Sequence, residues 1–190
     1  MTGPDDAERD VERYERMCRE KADAEIAAAD APVVGSGRIR SSGDVLAEIA
    51  LIKGAPGPHD VAAGRVLSGA DGEAATKALD ALGLPSERYA VCSRPGRSAA
   101  AARARRLALI IEAVDPAIVI ALDPEAAADV ALAMRTGALV PGEPVSVRGR
   151  NVLAIDGLEA SLGDERLKKR VWRQLRALAP ATPETPSGRP

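Results

Sequence analysis

The stretch Ala117-Ile118-Val119-Ile120-Ala121-Leu122 decides the fold class of this chain. It is an uninterrupted apolar run that contains β-branched residues and no polar alternation. A short run of this kind is typical of a strand that is buried on both faces at the centre of a parallel sheet. We therefore predict that the chain belongs to the α/β class.

Segments on either side of this strand alternate between helical and extended patterns. Further strands are predicted at 45–52 and 88–93, and residues 145–155 are predicted to form a strand pair or a strand with a turn at Gly149. Helices are predicted at 73–82, 98–114, 124–134 and 164–178. Such alternation with short connections is expected when helices cover both faces of a parallel sheet. The pattern predicts a three-layer α/β/α fold with a central four-stranded, mainly parallel sheet.

The two ends of the chain differ from this middle part. Residues 5–30 are charged and rich in Ala, and Val11, Tyr14, Met17 and Cys18 recur at helical spacing. We expect an amphipathic helix there that packs against the domain. The predicted organisation is a helical segment at 1–30, a domain at 31–179 and a Pro-rich disordered tail at 180–190.

Composition excludes several classes of protein. The 190 residues carry a formal net charge of −2, so any surface that binds nucleic acid has to be local. Cys18 and Cys92 are too few for a disulfide framework or for four metal ligands, so we expect neither a metal nor another cofactor. The N-terminus lacks an apolar leader and no apolar run approaches the roughly 20 residues of a membrane span. We expect a cytoplasmic protein without membrane contact.

The loops after the predicted strands are the candidate ligand site. In open α/β sheets the ligand lies beyond the carboxyl ends of the strands. Those ends carry Lys53–Asp60, Ser93–Arg97, Asp123 and Asp156–Glu159.

An ordered series of motifs begins in the loop after the first predicted strand and continues along the chain. Its members are Ala55-Pro56-Gly57, Gly64-Arg65 with Gly69, Ala81-Leu82-Gly83-Leu84, the strand from Asp115, and the helix from Leu162 to Leu178. Over roughly residues 17–178 this series resembles uracil-DNA glycosylases of the iron–sulfur branch. In that family a strand runs into Gly-Glu-Ala-Pro-Gly, and Gly-Arg-Pro-Phe-Val-Gly follows. The resemblance implies the three-layer fold of that superfamily and a relation to DNA repair and DNA binding.

The resemblance also implies a pocket, and each part of that pocket falls on a changed residue. The glutamate of the first motif falls on Gly54, and the phenylalanine that stacks on uracil falls on Leu67. The asparagine that reads uracil falls near Cys92, and the His-Pro-Ser triplet falls on Gly157-Leu158-Glu159. The implied pocket residues are Gly54, Ala55, Pro56, Gly57, Leu67, Cys92, Gly157 and Glu159.

These changes favour a glycosylase-like protein that lacks standard uracil excision and retains nucleic-acid or nucleobase binding. Loss of one such group typically reduces the rate by a factor of about 10²–10³. The alternative is an active DNA glycosylase of base excision repair with a remodelled site, in which Asp60 or Asp156 positions the water or stabilises the cation; the sequence does not decide whether the chain is an enzyme. A third hypothesis is a protein-interaction module that binds its partner through the N-terminal helix.

Five residues are candidates for catalysis or for binding of phosphate. Asp60 could hold the attacking water and His59 could carry a proton, unless both simply belong to an exposed polar loop. Lys53, Arg94 and Arg97 could contact the phosphates of DNA or of single-stranded nucleic acid, unless they pair with acidic neighbours.

Overall fold

The structure, a computed structural model, describes residues 4–32 and 39–179 and confirms the α/β class. The helices within these residues are α1 Pro4–Asp30, α2 Pro58–Ala63, α3 Ala70–Ala81, α4 Ala100–Val114, α5 Pro124–Met134, α6 Leu158–Ser161 and α7 Glu165–Leu175, and a 3₁₀ turn covers Arg176–Leu178. The strands are β1 Ser42–Gly43, β2 Ile49–Lys53, β3 Arg88–Cys92, β4 Ile118–Ala121, β5 Val145–Val147 and β6 Arg150–Ala154. The predicted tail at 180–190 lies outside the described residues.

The strands form one mixed sheet in the order β1-β3-β2-β4-β6-β5. β3, β2, β4 and β6 are mutually parallel, and the edge strands β1 and β5 are antiparallel to their neighbours. The prediction of a four-stranded sheet is therefore wrong, because six strands pair. β1 has only two residues and gives no periodic signal. The segment 145–155 forms the strand pair that was one of its two predicted forms, because β5 turns into β6 through Arg148 and Gly149, whose φ angles are 51° and 81°.

Strand residues alternate between two apolar clusters, one on each face of the sheet. Val119 and Ala121 of β4 pack in the cluster that also includes residues of α1, α4 and α5. Ile120 packs in the other cluster, with residues of α3, α7 and the 3₁₀ turn. All three side chains are fully buried, which confirms that β4 is a strand covered on both faces.

Helix α1 packs on the domain only through its C-terminal half. Ala22, Ile26 and Ala29 are buried against the cluster that includes α4. Val11, Tyr14 and Met17 are each more than half exposed, so the expectation that they hold the helix against the domain is wrong. The predicted helix is confirmed, but its buried residues begin at Ala22.

The four parallel strands end along the same edge of the sheet, at Lys53, Cys92, Ala121 and Ala154. Loops from these ends lead into α2, α4, α5 and α6, so side chains distant in sequence meet at this edge. None of the helices in the described ranges is long and apolar enough to cross a membrane.

Candidate functional site

A cavity of about 510 Å³ opens at the carboxyl edge of the sheet, beyond β2, β4 and β6. This volume lies in the range of small-molecule sites. Leu67, Leu122 and Leu158 contribute apolar wall. The charged side chains at the wall are one lysine and five carboxylates, namely Lys53, Asp71, Asp123, Glu125, Asp156 and Glu159. The cavity is therefore apolar in part and strongly acidic.

Lys53 forms a buried ion cluster at the end of β2. Its Nζ lies 2.7 Å from Asp60 Oδ2, 2.6 Å from Asp71 Oδ2 and 2.8 Å from Glu159 Oε2, and only 5% of its side chain is exposed. Burial alone would lower the pKa of Lys53, but the hydrogen bonds to these carboxylates raise it above its ordinary value. The lysine is therefore charged, and its charge is balanced within the protein.

Asp60 is held entirely by the protein. Its Oδ2 accepts hydrogen bonds from Lys53 Nζ and from the Gly57 amide at 2.9 Å, and its Oδ1 accepts one from the Ser68 amide at 2.9 Å. Burial would raise the pKa of Asp60, but Lys53 and the two amides lower it. The side chain is fully buried, so the geometry makes Asp60 a brace of the 54–68 segment and gives it no exposed oxygen for a water molecule.

His59 lies on the exposed surface of α2, next to Asp60. It borders a smaller depression of about 170 Å³ and does not line the main cavity. Helix α2 replaces the polar loop that the sequence suggested. The sequence does contain a signal for the start of this helix. Pro58 occupies the first turn, and Asp60 accepts from the Gly57 amide as in a capping box.

Gly54 faces a carboxylate that already fills the space of a side chain. Asp123 Oδ2 accepts from the Gly54 amide at 2.8 Å, and Asp123 Oδ1 caps α5 through the Ala126 amide at 2.7 Å. A Cβ on Gly54 would lie 2.6 Å from Asp123 Oδ1 and 2.7 Å from Glu125 Cβ. The glutamate that the resemblance expects at this position has no room unless α5 or its cap moves.

Leu67 lines the cavity in a left-handed backbone conformation, with φ 54°. A Cβ at Gly72 would lie 2.0 Å from the Leu67 carbonyl oxygen, so this close approach requires glycine. Leu67 presents an apolar side chain and no aromatic face where the resemblance expects a stacking ring.

The segment Gly157–Glu159 begins α6 on the opposite side of the cavity. Gly157 has φ 146°, a conformation that favours glycine, and the Leu158 amide bonds to the Leu122 carbonyl at 2.9 Å. About half of the Glu159 side chain is exposed, and it reaches Lys53. Asp156 pairs with Arg170 at 3.2 Å. Carboxylates therefore stand where the resemblance expects a hydrogen-bond donor.

Cys92 lies behind the cavity and does not line it. It is 2% exposed, and its Sγ donates to the Gly54 carbonyl at 2.8 Å. Burial raises the pKa of the Cys92 thiol to about 11. The side chain joins the ends of β2 and β3 and stays protonated at neutral pH.

The two predicted phosphate-binding arginines differ in their surroundings. Arg94 Nε lies 2.7 Å from Asp129 Oδ2 and its NH1 lies 2.8 Å from Glu125 Oε1. Its hydrogen bond to Asp129 raises its pKa. Arg97 is exposed and forms no ion pair with a residue in the described part of the chain. Of Lys53, Arg94 and Arg97, only Arg97 keeps its charge free for a phosphate.

The structure thus brings part of the predicted site together. Lys53, Ala55, Leu67, Gly157 and Glu159 line the cavity. Gly54, Pro56 and Gly57 belong to the adjoining turn, whereas Arg94, Arg97 and Cys92 lie outside the wall. Sequence reasoning missed Asp71 and Leu122 as site residues. It named Leu158 only within the triplet at 157–159, and it placed Asp123 at a strand end without a role. The Asp123-Pro124 pair at a helix start was the available signal.

Among residues 4–32 and 39–179, no group of three or more His, Cys, Asp or Glu side chains could hold a metal ion.

Comparison with protein-family models gives no match, and comparison with curated proteins gives none either.

Proposed function

We propose that this chain is a uracil-DNA glycosylase-like protein, with the three-layer α/β/α architecture of that superfamily, that binds a nucleobase-like ligand without excising uracil. One observation carries the proposal. Residues from three separate motifs, Ala55, Leu67 and the Gly157–Glu159 segment, meet at one cavity of suitable size. That cavity offers hydrogen-bond acceptors where excision requires donors.

Uracil excision would build negative charge on the departing base. Such charge has to be met by donors aimed at it. The only side-chain donor at the described wall is Lys53, which is already engaged by Asp60, Asp71 and Glu159. The remaining charged side chains of the wall are carboxylates, and they would repel a developing anion. The charge distribution therefore opposes the chemical step.

The same charges favour a ligand that donates hydrogen bonds. Carboxylates accept from the amino group of cytosine, whereas a pyrimidine with a carbonyl at that position presents another acceptor. Leu67, Leu122 and Leu158 supply apolar contact for a planar ring. We expect amino-bearing bases or nucleosides, such as cytosine and adenine, to bind better than uracil.

Nucleic acid is a weaker candidate ligand than a free base or nucleoside. Phosphate contacts require free cationic groups. The cations at the wall or bonded to it, Lys53, Arg94 and Arg170, are all paired with carboxylates. Arg97 remains as a contact for a single phosphate. The proposal therefore places the ligand specificity in the acidic cavity and not in a basic groove.

Calorimetric titration with cytosine, adenine and uracil tests this function. We expect cytosine and adenine to bind at least about tenfold more tightly than uracil. Ala160→Trp should abolish binding, because Ala160 is an exposed residue of the cavity wall. Ala128→Trp is the matched control, since Ala128 is exposed on α5 away from the cavity. Equal binding of all three bases, or no effect of Ala160→Trp, would overturn the proposal.

A second assay addresses catalysis directly. Oligonucleotides that contain uracil, hypoxanthine or xanthine are incubated with the protein and scored for abasic sites. We expect no cleavage. Formation of abasic sites that is abolished by Asp156→Asn would instead support a remodelled glycosylase, because Asp156 lines the cavity whereas Asp60 does not.

A further inference from the structure

Residues 7–21 of α1 have no fully buried side chain, and Arg19 near their end is tied to Asp44 of the domain. Between residues 7 and 21 every residue is exposed except Cys18, which is half-buried, and burial begins at Ala22. An isolated helix of this length is marginally stable in water. Here it continues from a docked half, so the domain holds it in a fixed direction.

Large apolar side chains run along this exposed half of α1, residues 7–21. Val11, Tyr14 and Cys18 follow the i, i+3, i+7 spacing of one helix face, and Met17 lies beside them. Val11 is 57% exposed, Tyr14 68% and Met17 59%. A row of exposed apolar side chains at this spacing is typical of a helix that docks into a groove or against another helix.

The flank of this apolar stripe is acidic. Glu8, Glu12 and Glu15 follow the i, i+4, i+7 spacing beside it, and none forms a salt bridge with a residue that the structure describes. Arg19, the next residue of that row, is bound to Asp44 of the domain. The flank therefore carries three carboxylates that form no salt bridge within the described residues, and Glu15 has a cation, Arg19, in its electrostatic surroundings.

We propose that the exposed half of α1 docks onto a protein partner with an apolar seam bordered by lysine or arginine. The apolar stripe supplies the buried contact, and the row Glu8, Glu12 and Glu15 selects a basic border. This inference does not depend on the proposed function, because none of its residues lines the cavity at the carboxyl edge of the sheet.

A second copy of this chain fits the surface less well. Antiparallel pairing through the apolar stripe would set the glutamate row of one copy against that of the other, and like charges at such positions are destabilising. The domain side of the helix is fixed separately, because Arg106 Nε bonds to Asp30 Oδ1 at 2.7 Å where α1 ends. The exposed half is thus presented to a partner without disturbing the domain.

The test uses two synthetic probe helices of roughly three heptads, with Leu at the a and d positions. One carries Lys at the e and g positions and its twin carries Glu there. Binding of each fluorescent probe to the full chain is followed by anisotropy. We expect the Lys probe to bind at least about tenfold more tightly than the Glu probe.

Variants of the exposed side chains complete the test. Val11→Ser with Tyr14→Ser should weaken binding of the Lys probe about tenfold or more, and Glu8→Lys with Glu15→Lys should reverse the preference between the probes. Glu20→Lys with Glu87→Lys is the control of equal net charge, because Glu20 lies across the helix and Glu87 lies outside it. Circular dichroism of each variant verifies that the fold is intact.

Three results would overturn the proposal. These are equal binding of the two probes, binding that is indifferent to Val11 and Tyr14, and a dimer in light scattering that dissociates on Val11→Ser with Tyr14→Ser. The last result would assign the surface to a second copy of the chain.

Discussion

The ends of β2 and β3 are neighbours in the sheet but have opposite charge arrangements. Lys53 pairs in register with Cys92, so the residues that follow them lie side by side. At the end of β2 a buried cation is surrounded by carboxylates. At the end of β3 a buried carboxylate, Asp129, accepts from Ser93 Oγ at 2.8 Å and from Arg94 Nε at 2.7 Å, and Arg103 Nε lies 3.5 Å away.

Exposure separates the two clusters further. At the end of β2, the side chains of Lys53, Asp60 and Asp71 are 5%, 0% and 6% exposed, so these charges have lost almost all hydration. At the end of β3, Arg94 and Arg103 keep 28% and 19% exposure. Removal of Lys53 would leave two buried carboxylates, Asp60 and Asp71, without a cation, although the half-exposed Glu159 would stay hydrated. Removal of Asp129 would leave two arginines that can both recover water. The two ends should therefore respond differently to loss of the central group.

Lys53→Met should produce the largest effect. It leaves Asp60 and Asp71 as buried carboxylates without their cation, and breaking a buried pair in this way costs about 3–5 kcal/mol. The change is measured as the loss in free energy of unfolding in urea.

Lys77→Met is the matched control, because Lys77 forms an exposed pair with Glu73 on α3 and should change stability by less than about 0.5 kcal/mol. If Lys53→Met cost no more than this control, the cluster at the end of β2 would not be the buried network described above.

Asp129→Asn should have a smaller effect, about 1–3 kcal/mol, measured in the same way. The substitution removes the charge shared by Arg94 and Arg103, but both guanidinium groups can be rehydrated. Glu125→Gln provides the comparison, since Glu125 meets Arg94 at the surface and should contribute little. If Asp129→Asn lowered the free energy of unfolding as much as Lys53→Met or more, the charge clusters at the ends of β2 and β3 would not differ in hydration as described.

The fold class was predictable because its strongest signal is local. The apolar run at β4 and the alternation of helix and strand do not depend on distant residues. The edge strands were not predictable in the same way. Ser42 and Gly43 become a strand only because β3 offers an edge to pair with, and no periodicity within two residues can show this.

The candidate site was predictable in its position but not in its internal contacts. Strand ends of a parallel sheet converge, and this rule placed Lys53 and Glu159 near one cavity, whereas Leu67 was assigned to it through the resemblance. The rule does not say which charges pair. Asp60 turns away from the cavity toward Lys53, and Asp71, eighteen residues beyond Lys53 along the chain, completes the cluster. Such pairing follows from tertiary packing, which sequence spacing does not encode.

Cys92, which joins the two strand ends through its bond to Gly54, provides the smallest and last test. Burial raises its pKa to about 11, above the ordinary value of about 8.5. The folded state thus holds the thiol protonated. Its contribution to stability is complete below about pH 8.5 and is lost as the pH rises through about 11.

At pH 8 we therefore expect Cys92 to resist a disulfide reagent in the folded protein while the half-buried Cys18 reacts. Absorbance should report one thiol in the native protein and two in denaturant. Cys18→Ser isolates the slow site, and Cys92→Ser leaves the fast one unchanged. Rapid labelling of Cys92 in the Cys18→Ser protein would mean that the junction between β2 and β3 opens to solvent. The charges at the end of β2 would then not be shielded from water, and the contrast with the more exposed charges at the end of β3 would fail.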